Sequence, residues 1–180
     1  MRYIALLRGI NVGGHQVKME ALRRLFVDLG LTNVGSYIQT GNVFFDSDET
    51  DRAALRARIE AQLRASLGYE VATCLRTVEE FAAVLALDPF AGIELRSDLR
   101  FSVSFLVEPV VVATELPYTT PKGDFALVGM TPNELFVVWH LVDGRPGNGY
   151  GHMEKRFAVP ATARFWHTAA KILMAARQAR

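Results

Sequence analysis

Up to Leu75 the hydrophobic period switches back and forth between that of a buried strand and that of a helix, and this succession most restricts the fold. Tyr3 to Leu7 is a short apolar run closed by Gly9, the pattern of a buried strand. Met19, Leu22, Leu25, Phe26 and Leu29 recur at three- and four-residue spacing, an amphipathic helix that Gly30 is placed to end. Val34 to Gln39 and Val43 to Phe45 read as strands joined by the turn residues Thr40-Gly41-Asn42. An acidic loop, Asp46 to Asp51, favours the start of a second helix carrying Leu55, Ile59, Leu63 and Leu67, ended by Gly68. Val71 to Leu75 is a fourth strand, and Thr77 with Glu80 forms a capping box for a short helix that stops near Asp88-Pro89. The order is βαββαβ, the ferredoxin-like unit, so residues 1–87 are expected to form an α+β half with one sheet face under two helices.

The second half, 88–180, reads as another α+β half packed closely on the first. Arg100 to Val107 alternates Phe101, Val103, Phe105 and Val107 on one face. Phe125 to Met130 and Leu135 to Leu141 are strands joined by Thr131-Pro132-Asn133-Glu134. Asp143 to Gly151 is dense in glycine and reads as a long exposed loop, either a mobile lid or a plain connection. Pro160-Ala161-Thr162 is expected to open a last helix running to about Arg177, with Phe165, Ala169, Ile172, Leu173 and Ala176 on its core face. Strand, crossover, two strands and helix would make this half a distorted duplicate of the first, although no residue-level repeat is visible.

Composition narrows the function classes. Half of the 180 residues are hydrophobic and the net charge is +1, which suits a packed core and gives no general attraction to nucleic acid or an acidic membrane. The charge is uneven: Arg145 to Arg180 carries +6, leaving −5 for the rest. Cys74 is the single cysteine, so no disulfide within the chain and no cysteine metal cluster can form. The four histidines, His15, His140, His152 and His167, show no ligand spacing, so neither a metal nor a cofactor is expected. No apolar run reaches the roughly 20 residues of a membrane span. A cytoplasmic setting is the simplest fit, and the oligomeric state is not readable.

Three stretches carry a resemblance. Leu6-Leu7-Arg8-Gly9-Ile10-Asn11-Val12-Gly13-Gly14, then Tyr37 to Val43, then Glu154-Lys155 with Pro160 to Arg164, Trp166, Thr168 and Lys171, resemble the bacterial family called domain of unknown function 1697. The resemblance implies an α+β fold built from ferredoxin-like halves and brings no established activity. Near its end the family pattern is Arg-Asn-Trp-Asn-Thr, where this chain has Arg164-Phe165-Trp166-His167-Thr168. A role carried by those asparagines would be altered or lost here.

Two constellations can carry chemistry. In the first, Arg8, Gly9, Asn11, Gly13 and Gly14 lie between a strand and a helix. Glycines allow positive φ and close backbone approach, a helix start presents unpaired N–H groups, and Arg8 adds a forked cation. Such a loop suits a phosphate or carboxylate, although it lacks the ending of a Walker loop and is no clean dinucleotide fingerprint. The same residues also fit a turn closed on its own carbonyls. In the second, Arg164, Thr168 and Lys171 are expected on one stripe of the last helix, with His167 beside them as the best general acid–base candidate. A solvated helix face is the simpler reading of the same residues.

One reading is therefore a site for an anionic, phosphorylated small molecule joining residues 8–14 to 164–171. Whether it is an enzyme stays open. The alternative is an RNA-binding or protein-interaction module without catalysis. Nucleic acid is disfavoured, because Phe44 and Phe45 are adjacent and point to opposite faces of their strand.

Overall fold

The computed structural model describes residues 1–11, 13–14, 16–111, 115–146 and 155–178. The chain divides into two compact units, Met1–Ala86 with Ala170–Arg180, and Leu87–Ala169.

The first unit runs β1 (Arg2–Leu7), α1 (Met19–Asp28), β2 (Thr32–Ser36), β3 (Asn42–Asp46), α2 (Arg52–Leu67), β4 (Thr73–Thr77) and α3 (Val78–Ala86). Its sheet has the order β2-β3-β1-β4 with every neighbour antiparallel. Odd-numbered residues of β1 (Tyr3, Ala5, Leu7) join Val43 and Phe45 of β3, Leu75 of β4, Leu22 and Phe26 of α1, and Leu55, Ile59 and Leu63 of α2 in one core. Phe45 stacks on Tyr3 at 5.9 Å and tilts against Phe26 at 5.4 Å. The alternate residues Ile4, Leu6, Phe44, Cys74 and Arg76 are buried as well, which explains why β1 reads as an unbroken apolar run.

Local signals set most boundaries here. The Asp51 side chain accepts from Ala53 N and Ala54 N at the start of α2, and Gly68 closes that helix at φ 81°. After α1, Gly30 N–H donates to Val27 O and Leu31 N–H to Phe26 O, so the glycine at φ 81° satisfies the last carbonyls. The capping box is present: Glu80 N–H donates to Thr77 Oγ1 (3.1 Å) and Thr77 N–H to Glu80 Oε2 (2.9 Å). Two strands are displaced from expectation, β2 by two residues at its start and three at its end, and β4 by two at each end. β2 ends at Ser36 because the chain turns away at Tyr37, and β4 extends to Thr77 because pairing with β1 continues to Tyr3.

The second unit holds β5 (Leu99–Leu106), β6 (Tyr118–Thr119), β7 (Phe125–Met130), β8 (Glu134–Val142), β9 (Arg145–Pro146), β10 (Ala161–Phe165) and the start of α4 (Trp166–Gln178). Its sheet has the order β10-β5-β8-β7-β6, and β9 pairs with the end of β8. Leu106, Phe125, Leu127, Leu135, Val137 and Trp139 form its core, where Trp139 Nε1 donates to Ser102 Oγ at 2.7 Å.

Three expectations are corrected in this unit. The last helix does not open at Pro160: Ala161 to Phe165 is a strand, and the helix begins at Trp166. Without β10 the long strand β5 would leave a row of N–H and C=O groups unpaired, and that demand outweighs the weak helix preference of Ala-Thr-Ala-Arg. Phe165 is therefore not on a helix core face but 37% exposed, while Ala169, Ile172, Leu173 and Ala176 are buried as expected. Third, the stretch from Asp143 is not all loop. Asp143 (φ 51°) and Gly144 (φ 73°) form the two-residue turn of a hairpin pairing Val142 with Arg145. Residues 147–151 of the expected lid or connection lie outside the described residues, as do His15, His152 and Glu154.

The two sheets repeat one plan. Taking β5, β7, β8 and β10 as first to fourth strands gives the order 4-1-3-2 of the first sheet, again all antiparallel. The repeat extends to single residues. Arg76, Ile4, Phe44 and Gly35 lie side by side across one sheet, and Arg164, Val103, Phe136 and Gly129 across the other. Each glycine follows a break in strand register and faces its phenylalanine; a Cβ on Gly35 would lie 2.1 Å from the Phe44 ring. Leu7 N–H donates to Gly41 O and Leu106 N–H to Asn133 O. Arg8 N–H donates to Ala72 O and Val107 N–H to Pro160 O. Both fourth strands run straight into a helix two residues after the arginine. The shared residues stand on different strands, far apart in the chain, and are aligned only by the pairing, so the sequence conceals the repeat. Among the described residues, the crossovers of the second unit hold the short strands β6 and β9, and their one helical piece is the turn 155–157.

Candidate functional site

Where β1 leaves its sheet, the ladder continues for one residue on each side, through Leu7 N–H to Gly41 O (2.8 Å) and Arg8 N–H to Ala72 O (2.9 Å). Arg8 thus stands at a fixed point with its side chain exposed. Gly9 turns the chain at φ 67°, and Ile10 plunges back to 2% exposure. Ile10 rests against the β2–β3 hairpin so closely that a Cβ on Gly41 would lie 2.7 Å from Ile10 Cγ2. The Tyr69 hydroxyl donates to Ile10 O at 3.2 Å.

Asn11 fastens the loop from inside. Its Nδ2 donates to Gln39 O (2.7 Å) and Val17 O (3.4 Å), and its Oδ1 accepts from Val17 N–H (2.6 Å). The amide therefore ties Asn11 to Val17 and both to the neighbouring hairpin. Gly13 (φ 68°) and Gly14 (φ 91°) are exposed, with open space where a Cβ would point. Lys18 occupies the N-cap of α1 and makes no side-chain cap bond.

The adjoining hairpin is the part that the sequence pattern did not single out as a site. Buried Asn42 donates from Nδ2 to Tyr37 O (3.0 Å) and Thr40 Oγ1 (2.9 Å), which holds its tip. At that tip Ile38 sits at φ 49° and 46% exposed. A β-branched residue seldom takes this conformation, and nothing in the apolar run Tyr37-Ile38 signals it.

The second constellation is not a helical stripe. Arg164 lies on β10 at 8% exposure, its Nη1 donating to Thr162 Oγ1 (2.8 Å) and Ala163 O (2.8 Å). Thr168 and Lys171 follow on α4, half-buried and exposed. The exposed His167 ring lies parallel to Phe165 at 5.9 Å, and Trp166 packs edge-on against Phe90 (5.2 Å) and Phe136 (6.1 Å). Arg8, Gly9, Asn11, Gly13 and Gly14 thus share one loop, whereas Arg164 and the pair Thr168–Lys171 belong to different elements. Among the described residues no three His, Cys, Asp or Glu gather as metal ligands, and no helix is long and apolar enough to cross a membrane.

A family profile described as a protein of unknown function (DUF1697) matches residues 1–129. The chain belongs to the DUF1697 family. The matched span covers the whole glycine loop and its hairpin, and reaches β7 in the second unit. The chain is similar to a solved structure, that of the conserved bacterial protein SP0830 from Streptococcus pneumoniae, with 25% identity and a TM-score of 0.70 over 97% of this chain and 98% of that one. No curated protein matches the chain.

Proposed function

We propose that this DUF1697 chain binds a small anionic, phosphorylated molecule at the Arg8–Gly14 loop. The observation that carries this reading is a division of labour within the loop. Asn11, Ile10 and Tyr69 hold the backbone from the inner side, while Arg8, Gly9, Gly13 and Gly14 are left exposed. A backbone held in advance at Ile10 and Asn11 loses little entropy on meeting an anion, exposed glycines let the ligand approach closely, and an arginine beside them supplies charge and two donors. The RNA reading has less to rest on, since Tyr3, Phe44 and Phe45, the aromatics of the first and third strands, are all at most 3% exposed. We place the activity in the cytoplasm, the compartment of phosphorylated metabolites.

The test is a thermal-shift titration of inorganic phosphate and organic phosphates against the wild type and Arg8→Ala. A rise in melting temperature that grows with ligand concentration and falls at least about tenfold in apparent affinity in Arg8→Ala is expected. Equal responses in the two proteins would remove Arg8 from the site.

A further inference from the structure

We infer that the molecule held at this loop is amphiphilic, with an apolar group seated against Ile38 at the tip of the β2–β3 hairpin. The inference rests on the anion reading above and names the other end of the ligand.

The repeated plan supplies an internal control. In the second unit the equivalent hairpin is closed by Thr131, Pro132, Asn133 and Glu134, where Thr131 N–H donates to Glu134 O at 2.9 Å. In the first unit the corresponding bond runs from Tyr37 N–H to Asn42 O at 3.0 Å, across a tip two residues longer. The scaffold closes this turn without Pro132 or Asn133 entering positive φ, so the extra length and Ile38 at φ 49° are not needed to join the strands. The residue in the place of Arg8 also differs: it is Val107, followed by Glu108 and Pro109, with no glycine. The glycine loop and the longer tip are thus both peculiar to the first copy. They sit at the same end of the same sheet, tied by Asn11 Nδ2 to Gln39 O, one residue from Ile38.

Ile38 combines two unfavourable features, a β-branched side chain in a left-handed conformation and an apolar surface 46% exposed. Asparagine or glycine would adopt that backbone more readily. What isoleucine offers instead is a compact apolar surface beside a cationic loop. That pairing fits a phosphate ester of a hydrophobic or aromatic group better than a free phosphate.

The experiment titrates inorganic phosphate and phenyl phosphate by calorimetry into the wild type, Arg8→Ala, Ile38→Asn and Ile38→Leu, with the melting temperature of each. Phenyl phosphate should bind wild type about tenfold more tightly than inorganic phosphate, the gain from covering one apolar contact patch. Ile38→Asn should melt no lower than wild type and lose that preference while keeping its affinity for inorganic phosphate. Ile38→Leu should retain it, and Arg8→Ala should lose both probes. Equal binding of the two probes to wild type, or a preference that survives in Ile38→Asn, overturns the inference and leaves the anion site standing. Failure of both probes to bind wild type overturns the two together.

Discussion

Gly41 shows what a single residue contributes to this site. Its φ of 73° is the ordinary requirement of a turn, but the position where a side chain would begin is also occupied by Ile10 and Leu7. Gly41→Ala should therefore destabilise the protein by at least ~2 kcal/mol, from strained backbone and overpacking together, measured by urea unfolding. It should also weaken phosphate binding, since Ile10 cannot move without dragging the loop. Asp46 is a second residue with a readable consequence. Burial raises its pKa, but hydrogen bonds from Asn33 and Arg2 and the charge of Arg2 outweigh it, so the carboxyl titrates below its ordinary value. The same balance holds for Glu80, where burial is outweighed by Arg52, the Thr77 backbone and Arg76. On acidification the unfolded chain takes up these protons first, so the stability they give is intact above the unfolded values of about 4 and is lost as pH falls through the lower folded values. Asp46→Asn should lower stability by about 1 kcal/mol at pH 7 and flatten the fall in melting temperature between roughly pH 5 and pH 3.

At the scale of elements, the sequence is most informative where the stop signal and the period agree. Asp51, Thr77 with Glu80, Gly30 and Gly68 all bound helices as their chemistry requires, because a cap acts within three or four residues and needs no distant partner. β10 escapes that logic. Ala161-Thr162-Ala163-Arg164-Phe165 has the composition of a helix start after Pro160, and only the open edge of β5, more than fifty residues earlier, makes it a strand. A helix opening at Pro160 would place Arg164 on one stripe with Thr168 and Lys171, and the strand takes it off that stripe. The glycine loop was legible because glycine density and a following helix are local features. The hairpin tip was not, since Ile38 looks like one more apolar strand residue until its backbone is known. Asn11 reads as a ligand group in sequence, yet its amide is engaged by Gln39 and Val17.

For the whole molecule, the repeated plan explains how a chain can carry an unusual loop without losing its fold. The row of arginine, aliphatic residue, phenylalanine and glycine is common to both sheets, and the departures lie at the strand ends. The first unit also depends on the distant end of the sequence. Arg2 Nε donates to Ala176 O (2.5 Å), its Nη1 binds Asp46 (2.8 Å), and its guanidinium lies 5.5 Å from the Phe44 ring centre. Ile172 and Ala176 are wholly buried. Removing residues 170–180 should cost at least ~3 kcal/mol, from lost apolar burial and an orphaned Arg2, seen as a lower and broader melting transition.

That bond between Arg2 and Ala176 spans 174 positions of sequence. A ribosome adding about 5–20 residues per second would take roughly 10–35 s to make its second partner after its first. Throughout that interval the nascent chain offers an unfinished apolar face to chaperones, and a product cut short within the last helix keeps it open to proteases.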